Sequence, residues 1–183
     1  MASVLIPLAQ GCEELEAVTV IDLLRRAGIE VTTAGLEAGP VTCSRGTVLL
    51  PDTTLDAALG HDYDMVVLPG GLPGADHLQD DPRIIALLQD MSARNRYTAA
   101  ICAAPRVLAS AGLLDGRTAT SFPGAIAVDS IPGLNYSEQP VVTDGYLITS
   151  RGPGTAMDFA LELISLLVGT ELRDRVESAL QRP

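Results

Sequence analysis

Positive charge is what this sequence has least of: 12 Lys and Arg stand against 23 Asp and Glu, giving a formal net charge of −11 at pH 7 and a pI near 4.4. Nucleic acids and anionic membrane surfaces are bound through clustered basic residues, so neither is expected as a partner. Cysteine is scarce too. Cys12, Cys43 and Cys102 are odd in number, lack the spacing of a metal site, and have neither His61 nor His77 beside them. A disulfide framework and a metal centre are therefore not expected, and free thiols in a reducing compartment are. No apolar run reaches the ~18–20 residues that cross a bilayer. No basic residue precedes Arg25, and the chain runs at once into Val4-Leu5-Ile6, which predicts a cytoplasmic protein without an export signal. Repeats and linkers are absent as well, so the 183 residues are read as a single domain, 1–183.

What is present is an alternation of short β-rich runs with helical patterns, the pattern of a mostly parallel sheet covered by helices on both faces. Strands are predicted at Val4–Pro7 and Glu30–Ala34. A helix over Glu13–Ala27 joins them, with Leu15, Val18, Ile21 and Leu24 at helical spacing and Gly28 as its stop. Val41–Ser44 and Thr47–Leu50 flank Arg45-Gly46 as a tight turn, and a short helix follows at Leu55–Leu59. Met65–Leu68 is apolar throughout, as buried parallel strands are, and Pro69–Gly74 ends it in a glycine-rich loop. Further on, the expectations are a helix over Pro82–Arg94, a strand near Thr118–Thr120 and an irregular stretch over Phe122–Pro140. Strands Val141–Thr143 and Tyr146–Thr149 come next, then helices over Ala156–Val168 and Glu171–Gln181. The first of these helices is apolar nearly all round, which predicts burial in the domain or at an oligomer interface.

Chemistry concentrates at Cys102, which ends the run Thr98-Ala-Ala-Ile-Cys-Ala-Ala-Pro105 where a buried strand turns sharply into a helix over Ala104–Ala111. The small neighbours Ala100, Ala103 and Ala104 suit a nucleophile elbow, whose backbone bends too tightly for larger residues. The helix start favours the thiolate, the form that attacks electrophiles. In open α/β sheets ligands bind beyond the carboxyl ends of the strands, and Leu8–Glu16, Gly70-Gly71 and Ser150–Thr155 also fall there. A carboxyl from Glu13, Glu14 or Glu16 placed beside a thiolate would be pushed toward its protonated form and so serve as a proton donor. Gly71 and Ala103 offer backbone N–H groups to an oxyanion. Taken singly, each feature has a plainer role: a free cysteine packs as a small hydrophobe, Glu13 and Glu14 suit a helix start, a glycine pair ends a strand, and Arg151 pairs with an acidic neighbour. Cys12 and Cys43 keep that plainer role, no motif surrounding them, although Cys12 lies beside the expected pocket. The Gly-x-x-x-x-Gly-Lys phosphate pattern is absent.

Gly11-Cys-Glu-Glu-Leu-Glu16, Val66-Val-Leu-Pro-Gly-Gly71, Ala100-Ile-Cys-Ala-Ala-Pro105 and Ser150-Arg-Gly-Pro-Gly-Thr155 together resemble the ThiJ/PfpI superfamily, specifically its parkinsonism-associated protein deglycase branch, over nearly the whole chain. The resemblance implies an α/β, flavodoxin-like three-layer sandwich and a homodimer. It implies a reactive Cys102, a protonated Glu16 bonded to it, donors at Gly71 and Ala103, and basic residues near the mouth at Arg26 and Arg45. Gly70, Phe122 and Arg151 complete the expected pocket, and no cofactor or metal is implied. The branch often carries histidine before the proline of Thr120-Ser-Phe-Pro123, whereas this chain has Phe122. A Cys-His-Asp triad is thus not expected, and the proton work falls to Glu16. The protease branch has histidine after the cysteine, where this chain has Ala103, and the His-x-Glu pair of glutamine amidotransferases is missing, so both activities are set aside.

The resemblance leaves two functions open. In one, Cys102 adds to a small α-oxoaldehyde such as methylglyoxal, or to an early glycation adduct of an amine or thiol, and Glu16 shuttles the proton: a cofactor-free glyoxalase or deglycase. In the other, Cys102 is oxidised to a sulfinate, and the chain is an oxidative-stress sensor or redox-regulated chaperone for client proteins. The missing histidine weighs against proton-transfer catalysis and costs a sensor little. Thiamin-specific features are absent.

Overall fold

Along the chain, a computed structural model describing residues 1–182 places β1 (Ser3–Leu8), α1 (Glu14–Arg26), β2 (Glu30–Gly35), β3 (Val41–Thr42), β4 (Val48–Leu49), β5 (Thr53–Thr54), α2 (Leu55–Ala58) and β6 (Met65–Leu68). They are followed by α3 (Gly74–Asp80), α4 (Pro82–Ala93), β7 (Tyr97–Ile101), α5 (Pro105–Ser110), β8 (Thr118–Ala119), β9 (Asn135–Tyr136), β10 (Val141–Asp144) and β11 (Leu147–Ser150). Helices α6 (Ala156–Val168) and α7 (Thr170–Ala179) close the chain.

The main sheet has the order β10-β11-β7-β6-β1-β2-β5 and is parallel apart from the antiparallel edge strand β10. Because strand side chains alternate between faces, Val4, Ile6 and Leu8 of β1 pack under α1 and α6, while Leu5 packs against the opposite layer of α2, α4 and α5. The result is the three-layer, flavodoxin-like α/β sandwich read from the sequence. Phe159, Leu163 and Ile164 of α6 are fully buried, each worth roughly 1.5–3 kcal/mol of burial. That helix packs between α1 and α7, so its apolar character is largely accounted for within the chain.

Several local expectations are corrected. Helix α1 buries Glu16, Ala17, Val20, Leu23 and Leu24, leaving Leu15 and Val18 exposed at 50% and 44%. The face of Ala17, Val20, Leu23 and Leu24 turns to the core, and this brings Glu16 inward to a backbone N–H of the loop after β6. Helix α3 was not anticipated; it opens at Gly74, directly out of the glycine-rich loop, and carries His77. Helix α5 is one residue shorter at each end than expected, and β9 supplies a short parallel partner for β8 inside the stretch read as irregular. Strands β3 and β4 pair antiparallel around the Ser44-Arg45-Gly46 turn, as anticipated, over fewer residues. Among the described residues no helix is long and apolar enough to cross a membrane.

Candidate active site

Three loops at the carboxyl ends of β1, β6 and β7 meet around one sulfur. Cys102 follows the last residue of β7 with φ +63°, the left-handed region that side chains other than glycine seldom occupy. The surrounding backbone holds it there: its N–H donates to the Ser150 carbonyl at 2.9 Å, and its carbonyl accepts from the Phe122 N–H at 2.8 Å. A strained residue fixed on both sides is the construction of a nucleophile elbow.

Glu16 approaches from the first turn of α1 and has no exposed surface. Its Oε2 accepts from the Gly70 N–H at 2.8 Å, and Oε1 is buried with no hydrogen-bond partner that satisfies a directional geometry. Gly70 in turn accepts from the Glu13 N–H at 2.9 Å, which pins α1 to the loop after β6. Only glycine fits at position 70, because a Cβ there would lie 2.7 Å from Cys102 Cβ and 2.8 Å from Glu16 Oε2. Gly71 takes φ +87°, and this bend, with the elbow, turns the Gly71 and Ala103 N–H groups toward the sulfur.

Electrostatics bind Glu16 and Cys102 into one titrating unit. Burial pushes the Glu16 carboxyl up from 4.5 to about 7, against the pull of the Gly70 amide and the Cys102 thiol. Burial, and then the Glu16 charge, push the Cys102 thiol up from 9.0 to about 12, against the Gly71 and Ala103 amides. Helix α5 is only six residues long, and desolvation beside a carboxylate opposes the thiolate that a helix start favours. The two groups titrate as a pair, each raised chiefly by burial, and the nucleophilic thiolate exists when Glu16 holds the proton.

A scan against protein-family models matches residues 2–166 to the DJ-1/PfpI family. The chain belongs to that family. It is 45% identical to the Parkinson disease protein 7 homolog of Danio rerio, over 96% of this chain and 95% of that one. With the glutathione-independent glyoxalase DJR-1.2 of Caenorhabditis elegans it shares 34% identity, over 93% of this chain and 90% of the relative. The crystal structure of Drosophila melanogaster DJ-1beta superposes with a TM-score of 0.93 at 42% identity, covering 100% of this chain and 98% of that one.

Within this DJ-1/PfpI chain the other residues singled out from the sequence fall in different places. Phe122 lies beside the elbow through its bond to the Cys102 carbonyl, and its half-exposed ring lies over Gly152. Arg151 donates to the Glu138 carbonyl at 2.9 Å and fastens that loop; among the described residues it has no carboxylate partner of the kind foreseen for it. Arg45 is exposed on the β3–β4 turn, its backbone N–H accepted by Glu14 at 3.1 Å; among the described residues it forms no ion pair. Arg26 is not at the mouth within this chain. It is paired with Asp22 at 2.6 Å at the far end of α1, ten residues and ~15 Å of helix beyond Glu16.

His61 and His77 are exposed, and His77 Nδ1 faces the Gln10 carbonyl at 2.9 Å. His77 lines a surface cavity of about 500 Å³ with Leu8, Gln10, Leu36 and Arg83, which includes neither Cys102 nor Glu16. The strained cysteine with its buried carboxyl, and not this cavity, marks the site. Among the described residues no group of three or more His, Cys, Asp or Glu side chains is placed to hold a metal. Sequence reasoning missed the role of Gly70 as the amide that holds Glu16, which a bare Gly-Gly pair does not signal. It also missed the approach of Cys12 to Cys43, for which a separation of 31 residues gives no cue.

Proposed function

We propose that this chain is a cofactor-free glyoxalase of the DJ-1 type that converts small α-oxoaldehydes such as methylglyoxal into hydroxy acids, and that it accepts the same carbonyl unit in early glycation adducts of amines and thiols. The observation that carries the reading is the fully buried Glu16 carboxyl, held by the Gly70 N–H beside the partly exposed Cys102 with its left-handed backbone. Composition supports a sulfur nucleophile: the 12 basic residues are all arginine, so no lysine amine is present to form a Schiff base. The relative named a glutathione-independent glyoxalase supports the substrate class.

The chemistry follows from the pair. With its proton on Glu16, the Cys102 thiolate adds to the aldehyde carbon, and Glu16 delivers that proton to the developing alkoxide, which the Gly71 and Ala103 N–H groups stabilise. The Glu16 carboxylate then removes the C1 proton of the hemithioacetal and returns it to C2, while the C1 hydroxyl proton passes to the C2 oxygen, leaving a 2-hydroxyacyl thioester on Cys102. Water cleaves the thioester, releasing lactate and restoring the thiol, so methylglyoxal plus water balances to lactic acid. No histidine is needed, because the carboxyl that donates the first proton is the base for the second transfer. Phe122, standing where relatives often carry histidine, supplies an apolar wall.

The unit of action in this proposal is the single domain 1–183, and it works in the cytoplasm as a homodimer. An exposed apolar surface supports the dimer: Leu15 and Val18 on α1, with Val48 and Leu50 at β4 exposed at 60% and 79%. Val18, Leu49 and Leu50 share one surface cavity, so the α1 and β4 groups adjoin.

The test is lactate formation from methylglyoxal by wild type and Cys102→Ala, with buffer amines excluded and Cys102 checked by intact mass. Multiple turnovers in wild type and none in the variant are expected. No turnover in wild type, with ready conversion of Cys102 to sulfinate, would replace this reading with the redox sensor or client-protecting chaperone.

A further inference from the structure

Two thiols that the site does not use face each other beneath it. Cys12 Sγ and Cys43 Sγ are 3.6 Å apart, and both residues are buried. Their backbones run side by side, tied by the Gly11 N–H to the Thr42 carbonyl and the Ser44 N–H to the Cys12 carbonyl, each at 2.8 Å. The two side chains therefore meet as a cross-strand pair does. We propose that Cys12 and Cys43 are a second oxidisable site, a dithiol that a hydroperoxide closes reversibly to a disulfide. A disulfide places its sulfurs ~2.05 Å apart, so closure asks for an approach of about 1.5 Å between two loops. One loop joins β1 to α1 and the other is the β3–β4 turn.

Cys43, at 4% exposure against 0% for Cys12, is the one a peroxide reaches first. Its sulfur attacks one peroxide oxygen and the O–O bond breaks. The thiol proton leaves with the departing oxygen as an alcohol or water, and Cys43 becomes a sulfenic acid. Cys12 sulfur then attacks Cys43 sulfur and displaces hydroxide, which leaves as water with the Cys12 proton. Two thiols have given two electrons to one peroxide. The partner sulfur is already in contact, so ring closure outruns further oxidation to sulfinate. Burial pushes both thiols above their ordinary range, which makes the first step slow and suits the pair to sustained rather than brief exposure.

The disulfide would bear on the active site through short links. Cys12 precedes Glu13, whose N–H holds the Gly70 carbonyl at 2.9 Å, and the Gly70 N–H holds Glu16 at 2.8 Å. Glu13 and Glu14 are already bonded to Ser44 and Arg45 of the turn. A covalent tie at Cys12–Cys43 locks this assembly.

The experiment uses the full chain carrying Cys102→Ala, so that oxidation at the elbow does not enter, with Cys102→Ser and wild type treated in parallel. After hydrogen peroxide, the intact mass is expected to fall by about 2 Da and to recover with dithiothreitol. A non-reduced tryptic digest should join the peptide ending at Arg25 to the one ending at Arg45. The added substitution Cys12→Ala should abolish both signals. The closed form should melt roughly 10 °C higher, as expected for a tie across a loop of this length. Oxygen added to Cys12 or Cys43 without cross-linking would overturn the proposal. So would finding both thiols alkylatable after denaturation, following peroxide exposure that fully oxidises a control dithiol.

Discussion

Glu16→Gln isolates the buried carboxyl with almost no change of shape, and its effect on stability can be worked out in advance. The folded-state pKa of Glu16 is raised from 4.5 to about 7, chiefly by burial. An acid raised in the folded state binds more protons folded than unfolded between those values, so stability is greatest below about pH 4.5 and falls as pH rises through about 7. The gap corresponds to about 3 kcal/mol at ~1.36 kcal/mol per pH unit. Gln does not ionise, and it keeps a carbonyl oxygen for the Gly70 N–H. The variant's stability should therefore lack this fall, and the groups outside the Glu16–Cys102 pair contribute equally to both proteins. Urea denaturation from pH 4.5 to 7.5 should show wild type losing about 3 kcal/mol relative to Glu16→Gln, or thermal melts should converge or cross by about 6–12 °C. A constant offset at the Gln amide, whose NH2 enters a site built for a carboxyl, leaves the relative slope untouched. Parallel curves across this range would refute the raised Glu16 and with it the shared proton.

Three further outcomes follow from the same geometry. Gly70→Ala drives a Cβ into Cys102 Cβ and Glu16 Oε2, so it should cost about 2–3 kcal/mol in denaturant unfolding and suppress Cys102 alkylation; wild-type values would mean the loop yields freely. Iodoacetamide at pH 7.5 should modify Cys102 at least about tenfold faster than Cys12 or Cys43, which are more deeply buried; equal rates by peptide mass would show that the elbow gives its sulfur no greater access. Wild type should have the solution mass of a dimer by light scattering and Leu15→Asp with Val18→Asp half of it; a monomeric wild type would refute the proposed dimer, and an unchanged variant would place its interface elsewhere.

Much of the fold was legible because buried parallel strands announce themselves: Met65–Leu68 has no polar residue to place outward, and the alternation with helices leaves few topologies. The elbow was legible in its small residues, and its positive φ follows from the turn they permit. Other features are set by tertiary contacts that one-dimensional patterns do not carry. Leu15, Val18 and Ile21 share a helical stripe with Leu24, yet the face turned to the core is that of Ala17, Val20, Leu23 and Leu24, a choice set by what the helix packs against. Arg26 was assigned by resemblance to the mouth, whereas helix length puts it at the opposite end of α1 within this chain. A helix start is visible in sequence, but the depth of burial beside a carboxyl, which opposes the thiolate at Cys102, is not.

The most direct measurement is the pH dependence of kcat/KM for methylglyoxal in wild type and Glu16→Gln, since the free-enzyme profile reports the groups that must carry or lose a proton. A pair sharing one proton predicts activity that rises through about pH 7 in wild type and then holds, with that limb missing in Glu16→Gln. A wild-type rate that climbs steadily toward pH 12, with the variant following it, would show that Cys102 titrates alone and that Glu16 takes no part.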